Sequence, residues 1–335
     1  MEDASGNTNG VRAGSDRGAI ADGPGHGAAR PEPVTLRTIN AMAARGEAFA
    51  CLTAYDATMA RLLERAGVHV LLVGDTAAEV VLGFPRTFHM PLEMSLALTA
   101  AVKRGAPGTV VMGDMPFLSY HTSDAEALRN AGRYLTEGLA DIVKLEVDAS
   151  FAPLVGQMAR AGIPVCAHVG SRPQLAALTG GYGSAGRTAA EAERIVADAV
   201  AMERAGAVML LVEAVPDEVT QRILASTRVP LIGIGAGTRC HGQVLVVQDL
   251  LGMSEQTPRF AAPAAALGDA IVAAGREWVR RVKSGEIGGE RYRMKVGEAE
   301  RFGAAGQSGA APAEIKPGEG RSGEIRPASD PVAGR

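Results

Sequence analysis

Cysteine, aromatic residues and excess charge of either sign are all scarce in this sequence. Its 335 residues include 3 cysteines and 4% aromatic residues, and the formal net charge is −3. Cys51, Cys166 and Cys240 are odd in number and far apart, so we expect buried thiols in a reducing compartment rather than a disulfide framework. The small charge and few aromatics exclude an electrostatic or stacking basis for binding nucleic acid or a membrane surface.

Long apolar runs are also missing. No stretch reaches the roughly 18 to 20 apolar residues that span a bilayer. Residues 1–33 contain no apolar core of a signal peptide. We therefore expect a cytoplasmic protein with no membrane partner and no nucleic-acid partner.

Both ends of the chain are expected to be disordered tails. Residues 1–33 are rich in Gly, Ala, Arg and Asp, and residues 303–335 are rich in Gly, Ala, Glu and Pro. Such segments cannot bury enough apolar surface to offset the entropy of an ordered chain. The remaining residues 34–302 are expected to form one catalytic domain.

One pattern recurs through residues 34–302. An apolar run ends in a polar residue, a helical stretch follows, and a Gly ends the helix, as at Gly67, Gly162 and Gly206. Ser123 and Thr188, each followed three residues later by Glu, are predicted capping boxes. The predicted strands cover residues 48–55, 68–75, 109–114, 141–146, 164–168, 207–213, 229–236 and 244–249.

Strands that alternate with helices in this way predict an α/β fold, a single (β/α)₈ TIM barrel. An open, doubly wound sheet is the structural alternative. It is less favoured because the first strand–helix turn, at residues 55–58, lacks the Gly-rich fingerprint of a nucleotide-binding turn.

Acidic residues recur where the predicted strands end, which is the end of a barrel that carries active sites. A single acid there is most often the N-cap of the next helix. Several converging carboxylates, however, repel one another unless a divalent cation or a lysine neutralises them. The strand-end residues are Asp56, Asp75, Asp114, Lys144 with Glu146, His168, Glu213 and Asp249.

Five of these residues, in three groups, suggest specific chemistry. Asp75 and Asp114 end neighbouring strands and can face each other as oxygen ligands of Mg²⁺. Lys144 and Glu146 are two residues apart, so both point into the barrel, where they serve a site or form an internal salt bridge. Glu213 follows an apolar strand that should raise its pKa and suit it to act as a base.

Two further features leave alternatives open. His168 is either a supporting residue of the site or a satisfied core histidine. The Gly-rich residues 232–237 close the seventh strand. They either bind phosphate or let the backbone turn tightly and approach a ligand.

At these residues the chain resembles the ketopantoate hydroxymethyltransferase family, in family order from about Val34 to Gly285. Each segment alone is a weak signal, whereas the ordered set is specific. The segments are Leu52-Thr-Ala-Tyr-Asp56, Leu72-Val-Gly-Asp75, Gly113-Asp-Met-Pro-Phe117, Val143-Lys-Leu-Glu146, Gly180-Gly-Tyr182, Val212-Glu213, Ile232-Gly-Ile-Gly-Ala-Gly237, Gly242-Gln-Val-Leu-Val246 and Asp249-Leu-Leu-Gly252.

The resemblance implies a Mg²⁺ held by Asp75 and Asp114, with Glu146 close to the metal shell. The substrate 3-methyl-2-oxobutanoate would chelate that ion through its carboxylate and keto oxygen. Lys144 and Thr76 would contact the same substrate.

The resemblance also implies the reaction. Glu213 would remove the proton from C3, and the enolate would attack the methylene of 5,10-methylenetetrahydrofolate. The products would be 2-dehydropantoate and tetrahydrofolate, on the route to pantothenate and coenzyme A. A homo-oligomer, typically a decamer, is implied as well.

The chain departs from the family pattern in the loops around the substrate. Thr76 stands where the family usually has Ser, and Ala77-Ala-Glu79 replaces a usual Leu-Gly-Met, which adds a carboxylate one helical turn after Asp75. The implied metal, lysine and base residues are kept. Other departures are Val147-Asp148, Ser171-Arg172, Gly183-Ser-Ala185, His241 and Gln248.

Two other functions compete with this interpretation. One is a related metal-dependent 2-oxo acid lyase or mutase, like those of the phosphoenolpyruvate mutase and isocitrate lyase group, whose signature cysteine loop is not evident here. The other is a diverged, non-catalytic paralogue that binds a ligand. The intact acidic residues and lysine argue against the second.

Overall fold

The computed structural model describes residues 32–289 and 292–306 of the chain. The chain divides into two compact units after Ala274. Except for residues 32–33 and 303–306, the two tails predicted to be disordered lie outside the described residues. The domain boundaries at residues 34 and 302 stay predictions.

Eight parallel strands in the described part of the chain form a closed barrel, in which each strand pairs with the next and the first pairs with the last. This confirms the predicted TIM barrel and rules out the open sheet. The strands are β1 (Phe49–Thr53), β2 (Val70–Val73), β3 (Val110–Asp114), β4 (Ile142–Glu146), β5 (Val165–Gly170), β6 (Met209–Glu213), β7 (Leu231–Ile234) and β8 (Gly242–Leu245).

Helices alternate with the strands along the chain. Within the described ranges, no helix is long and apolar enough to cross a membrane. The helices are α1 (Leu36–Ala44), α2 (Ala57–Arg65), α3 (Ala77–Val80), α4 (Leu92–Gly105), α5 (Asp124–Thr136), α6 (Ala152–Arg160), α7 (Ala176–Thr179), α8 (Ala189–Ala205), α9 (Asp217–Ser226), α10 (Val247–Leu250), α11 (Leu267–Ser284) and α12 (Glu298–Gly306).

The helix-start signals are confirmed at one helix and half confirmed at another. At α8, the Thr188 hydroxyl accepts from the Glu191 N–H, and the Glu191 carboxylate accepts from the Thr188 N–H. At α5, the Ser123 hydroxyl accepts from the Glu126 N–H at 3.2 Å. The Glu126 carboxylate instead accepts a hydrogen bond from the hydroxyl of Thr122. That hydroxyl competes with the Ser123 N–H, so the second capping box does not close.

The eighth strand differs from its prediction. The apolar run at residues 244–249 is divided between the end of β8 and α10. The N–H of Val247 donates to the hydroxyl of Thr53 at 2.9 Å, and the following residues bond in a helical pattern. A continuous apolar run reads the same for a strand and for a buried helical turn. Asp249 therefore lies on a short helix and not at a strand end.

The interior of the barrel is apolar along most of the strands and polar at their C-terminal ends. Alternate residues of a strand point to the same side. Met112 on β3 and Met209 and Leu211 on β6 belong to one buried apolar cluster. The next inward positions on these two strands are Asp114 and Glu213. The alternation that builds the packed interior thus delivers ionisable side chains to its end.

Packing of α4 against α2 depends on Gly105. A Cβ atom here would overlap the carbonyl oxygen of Ala57 and lie 2.6 Å from its Cα. We expect Gly105→Ala to lower the free energy of unfolding by about 1–3 kcal/mol, because a buried helix contact must open. The control Gly132→Ala, on α5, adds a methyl with nothing within 4 Å. It should be neutral or stabilising by up to about 1 kcal/mol. Urea unfolding measures both, and equal midpoints would contradict the packing.

Candidate active site

Ionisable side chains converge at the C-terminal ends of β2 to β6. Asp75 follows β2 by two residues, Asp114 ends β3, Lys144 and Glu146 lie on β4, His168 lies on β5 and Glu213 ends β6. All of them, with Thr76, line one cavity of about 1110 Å³. The structure therefore brings together every residue that the sequence predicted for the site.

Asp75, Asp114 and Lys144 are in direct contact. The N–H of Asp75 donates to Oδ2 of Asp114 at 2.9 Å. The ammonium nitrogen of Lys144 lies 2.8 Å from Oδ1 of Asp114, and both side chains are buried. Lys144 thus pairs with Asp114 on the neighbouring strand, and not with Glu146 as the internal salt-bridge alternative required.

Burial makes the carboxylates of this group hard to ionise. Burial raises the pKa of Asp114 to about 7, although Lys144 lowers it in part, and Asp75 raises it further. Burial, followed by the charge of Asp75, raises the pKa of Glu146 well above its usual range. Burial alone would lower the pKa of Lys144, but Asp114, Asp75 and Glu146 together raise it above its ordinary value. The neighbouring acids therefore favour the charged form of Lys144.

Glu213 has the raised pKa that its apolar strand predicted. Burial raises the pKa of this carboxyl to about 7, with Lys144 lowering it and Asp75 and Asp114 raising it. Its side chain is 24% exposed, so the carboxylate faces the cavity. A carboxyl with a pKa near neutrality is half ionised at pH 7 and can both accept and return a proton.

His168 lies between Lys144 and Glu213. Its Nδ1 is 3.3 Å from the Lys144 ammonium nitrogen, and its Nε2 is 3.4 Å from Oε2 of Glu213. Burial, and then the charge of Lys144, lower the pKa of His168 well below its usual value. The imidazole is thus neutral, with Nδ1 placed to accept from Lys144 and Nε2 facing the carboxylate. His168 is both buried in the barrel and in contact with the site.

Gln174 is a site residue that sequence reasoning missed. Its side-chain amide donates to Oδ2 of Asp75 at 3.0 Å and to the carbonyl of Met115 at 3.1 Å. Its amide oxygen accepts from the hydroxyl of Tyr120 at 2.8 Å. Its backbone N–H donates to Oε2 of Glu146 at 3.0 Å. Gln174 lies in a short 3₁₀ turn, Pro173–Leu175, after β5, where no strand periodicity marks it. Only its nearness to the predicted acids in three dimensions reveals it.

The added carboxylate of Glu79 lies at the side of the same cavity. It accepts a hydrogen bond from the hydroxyl of Tyr182 at 2.8 Å, and that hydroxyl accepts from the N–H of Thr87 at 3.3 Å. Burial raises the pKa of Glu79, and the bond from Tyr182 lowers it in part. Glu79 therefore holds the loop that carries Tyr182 against the segment after α3.

Two other strand-end acids do not join the central group. Asp56 is the N-cap of α2 and accepts from the N–H groups of Thr58 and Met59. Asp249, on α10, is buried and accepts from the hydroxyl of Ser254 at 2.6 Å. For Asp56, the N-cap explanation is the one that the structure shows.

The Gly-rich residues 232–237 make a tight turn with close neighbours. Gly235 has a φ of 58°, and a Cβ there would lie 2.8 Å from the ring of Phe260. A Cβ on Gly237 would overlap the carboxylate of Asp217. The glycines thus allow close approach of side chains from this protein, and the acid beside Gly237 disfavours a phosphate.

The donor set at Asp75 and Asp114 fits a hard cation that keeps most of its waters. No group of three or more His, Cys, Asp or Glu side chains that could hold a metal ion occurs within residues 32–289 and 292–306. Mg²⁺ needs only one or two carboxylates, with water and substrate oxygens for the rest. Oδ1 of Asp114 is buried and pairs with the Lys144 ammonium at 2.8 Å. A carboxylate oxygen with one such partner has a second lone pair that can bind a cation of this kind.

Comparison with known proteins gives one family. The sequence model of the family described as ketopantoate hydroxymethyltransferase matches residues 33–290. A curated relative from Methylococcus capsulatus, named 3-methyl-2-oxobutanoate hydroxymethyltransferase, is 43% identical over 261 residues, which cover 78% of this chain and 97% of the relative. A relative of the same name from Syntrophus aciditrophicus is 45% identical over 253 residues, covering 75% of this chain and 93% of the relative.

Solved structures share the fold at low sequence identity. Phosphonopyruvate hydrolase, in complex with oxalate and Mg²⁺, aligns with a TM-score of 0.52 at 16% identity, covering 82% of this chain and 96% of that chain. 2,3-Dimethylmalate lyase, a member of the PEP mutase/isocitrate lyase superfamily, aligns with a TM-score of 0.51 at 20% identity, covering 84% and 100%. Identities this low support the shared barrel alone.

We expect Gln174→Leu to lower the free energy of unfolding by about 1–3 kcal/mol, because Asp75, Met115 and Tyr120 each lose a buried hydrogen-bond partner. The matched control is Gln221→Leu, on α9, where the lost bond to Asp217 is exposed. That change should stay within about 0.5 kcal/mol. Chemical denaturation measures both. A loss for Gln174→Leu no larger than that of the control would show that Gln174 does not hold the acids in place.

Proposed function

This chain belongs to the ketopantoate hydroxymethyltransferase family and is a transferase, and we propose that it transfers the one-carbon unit of 5,10-methylenetetrahydrofolate to 3-methyl-2-oxobutanoate. The family match supplies the reaction class. One structural observation supports the chemistry: Glu213, with a pKa of about 7, shares a cavity with Lys144 and the buried pair Asp75 and Asp114.

Glu213 is the proposed base. It takes the proton from C3 of the keto acid, and the electron pair left on C3 moves toward the keto oxygen to give the enolate. A carboxyl with an ordinary pKa would be a weaker base, so burial of Glu213 narrows the gap to the carbon acid. His168, neutral and facing the carboxylate, keeps the base oriented.

Lys144 and the acids of β2 and β3 provide the matching charges. Asp75 and Asp114 would hold Mg²⁺, with Glu146 close by. A bound Mg²⁺ would supply several kcal/mol of stabilisation to negative charge that develops on the keto oxygen. Lys144 offers its ammonium to the anionic substrate, and Thr76 lines the same cavity with its hydroxyl-bearing side chain.

The carbon–carbon bond then forms between C3 and the methylene carbon of the folate. That methylene carbon is bonded to two folate nitrogens, and both bonds break: the attack of C3 replaces the first, and a water oxygen replaces the second. Each nitrogen keeps the electron pair of its broken bond and gains one proton, one from C3 by way of Glu213 and one from the water. One water is consumed overall, and its oxygen becomes the hydroxyl of 2-dehydropantoate. The cavity is large enough to admit both substrates, because cavities of roughly 300–1,000 Å³ enclose whole drug-sized ligands.

We also propose a cytoplasmic location and a homo-oligomer. Cys51, Cys166 and Cys240 are free and buried, which suits a reducing compartment. Helix α11 carries the half-exposed apolar side chains of Trp278 and Val282, a surface of the kind that another copy of the chain covers. Sedimentation velocity measures the assembly.

We expect Glu213→Gln to slow the exchange of the C3 proton of 3-methyl-2-oxobutanoate for deuterium by at least about 100-fold, since a general base contributes about that much or more. Mg²⁺ binding should be retained. Because the base must be ionised, the wild-type exchange rate should rise with pH through about 7 and level off above it. Proton NMR in D₂O measures the rate. Undiminished exchange in the variant would remove Glu213 from this role.

We expect Asp114→Asn to weaken Mg²⁺ binding by more than about 100-fold. Losing a carboxylate that binds the metal directly should cost at least as much affinity as losing a group that only hydrogen-bonds to a metal ligand. Calorimetric titration with Mg²⁺ measures the affinity. The control Asp124→Asn, on the exposed start of α5, should leave it unchanged. An affinity equal to that of the wild type would contradict a cation site at Asp114.

A further inference from the structure

The cavity is larger than the keto acid alone requires. Its volume is about 1110 Å³, whereas cavities of roughly 300–1,000 Å³ already enclose drug-sized ligands. The ionisable groups described above occupy its floor. Its remaining lining includes the segment around Arg187, between α7 and α8, and residues between Ser254 and Phe260 after α10. This outer half is available to a second, longer ligand.

The two halves of the cavity differ in charge. The floor carries the carboxylates of Asp75, Asp114, Glu146 and Glu213, with Lys144 paired to Asp114. A ligand with several negative charges of its own is therefore repelled from the floor. Toward the solvent, the described cationic side chains that line the cavity are Arg187 and Arg259. An anionic end of a second ligand is favoured only there.

Among residues 32–289 and 292–306, no acid holds either rim arginine. Both are exposed, and within the described residues neither guanidinium forms a salt bridge or a side-chain hydrogen bond. Two arginines that do not line this cavity behave differently. Arg172 pairs with Asp148 at 2.8 Å, and Arg239 pairs with Asp217 at 3.5 Å. The donors of Arg187 and Arg259 thus remain available to a ligand carboxylate, which a guanidinium can bind through two parallel hydrogen bonds.

The backbone beneath both arginines is fixed. The N–H of Arg187 donates to the carboxylate of Glu191 at 3.1 Å, at the start of α8. Next to Arg259, the N–H of Ala261 donates to the carbonyl of Pro258 at 2.9 Å. Phe260 lies between Arg259 and Ala261 in the chain, and its ring packs on Gly235. The residue is 46% exposed and lines the cavity. The segment therefore offers both an aromatic ring and a guanidinium to the same cavity.

We propose that Arg187 and Arg259 form an anion-binding rim that takes the glutamate carboxylates of the tetrahydrofolate substrate, with Phe260 against its aromatic middle. This inference rests on the proposed function. It also fixes the orientation of that substrate: the carboxylate end lies at the rim, and the one-carbon end points to the acidic floor, where the enolate forms.

The test compares two probes that differ only in the glutamate. Tetrahydrofolate carries it, and tetrahydropteroate ends at the aryl carboxylate. Calorimetry on the full chain measures the dissociation constant of each for the wild type, Arg187→Gln, Arg259→Gln and the double variant. The control is Arg129→Gln, on the exposed face of α5 and outside the cavity. Thermal midpoints show that each variant is folded.

Each single substitution should weaken tetrahydrofolate binding by about 2- to 5-fold, as exposed ion pairs do, and the double substitution by about 4- to 25-fold. Each substitution should weaken tetrahydropteroate binding by a smaller factor than it weakens tetrahydrofolate binding. Arg129→Gln should change the binding of neither probe. Raising the salt concentration should weaken tetrahydrofolate binding more in the wild type than in the double variant.

Equal loss for both probes, or no loss of tetrahydrofolate binding in the double variant, would overturn the rim. So would a wild-type protein that binds the two probes equally. Deuterium exchange at C3 of the keto acid, measured on the wild type without folate, separates this failure from failure of the proposed function. Exchange without a preference for tetrahydrofolate overturns the rim alone, whereas absent exchange overturns the base chemistry on which it rests.

Discussion

The ion pair between Lys144 and Asp114 is the contact on which the rest of the site depends. Its two atoms lie 2.8 Å apart in a setting almost without solvent. Removing one partner of such a buried pair costs about 3–5 kcal/mol, because the other charge is left uncompensated. One ammonium, however, faces the carboxylates of Asp75, Asp114 and Glu146. Burial is the main cause that raises the pKa of Asp114 and of Glu146, and the charge of Asp75 raises both further. The excess of acidic groups over one lysine makes the floor of the barrel a place that favours a further cation.

The same excess explains how one cavity can serve two substrates of like charge. In the proposed reaction, an acidic floor neutralised by a lysine and a cation would accept a small keto acid whose oxygens join those charges. It would also repel the polyanionic end of a larger molecule and leave that end to the rim. Glu213 lies at the boundary between the two regions, partly exposed, and its raised pKa follows from its position at the end of an apolar strand. Binding and proton transfer therefore share one electrostatic cause.

The barrel and the acidic residues could be predicted from the sequence because both depend on periodicity. Runs of Val, Leu and Ile that end in Asp114 or Glu213 predict both the strand and the side chain that points into the barrel at its end. The end of β8 could not be predicted, because a short apolar run such as residues 244–249 has the same sequence pattern in a strand and in a buried helical turn. Gln174 and the Glu79–Tyr182 contact could not be predicted either. Gln174 bonds to Asp75, 99 residues away in the chain, and Tyr182 bonds to Glu79, 103 residues away. No local sequence pattern encodes contacts over such distances.

The most direct test of the account is anomalous diffraction from crystals grown with Mn²⁺ and 3-methyl-2-oxobutanoate. The account predicts one ion bound by carboxylate oxygens of Asp75 and Asp114 at about 2.1 Å, a distance typical of a hard cation in such a site. It also predicts that C3 of the keto acid faces the carboxylate of Glu213. An ion bound elsewhere, or a keto acid whose C3 points away from Glu213, would contradict it.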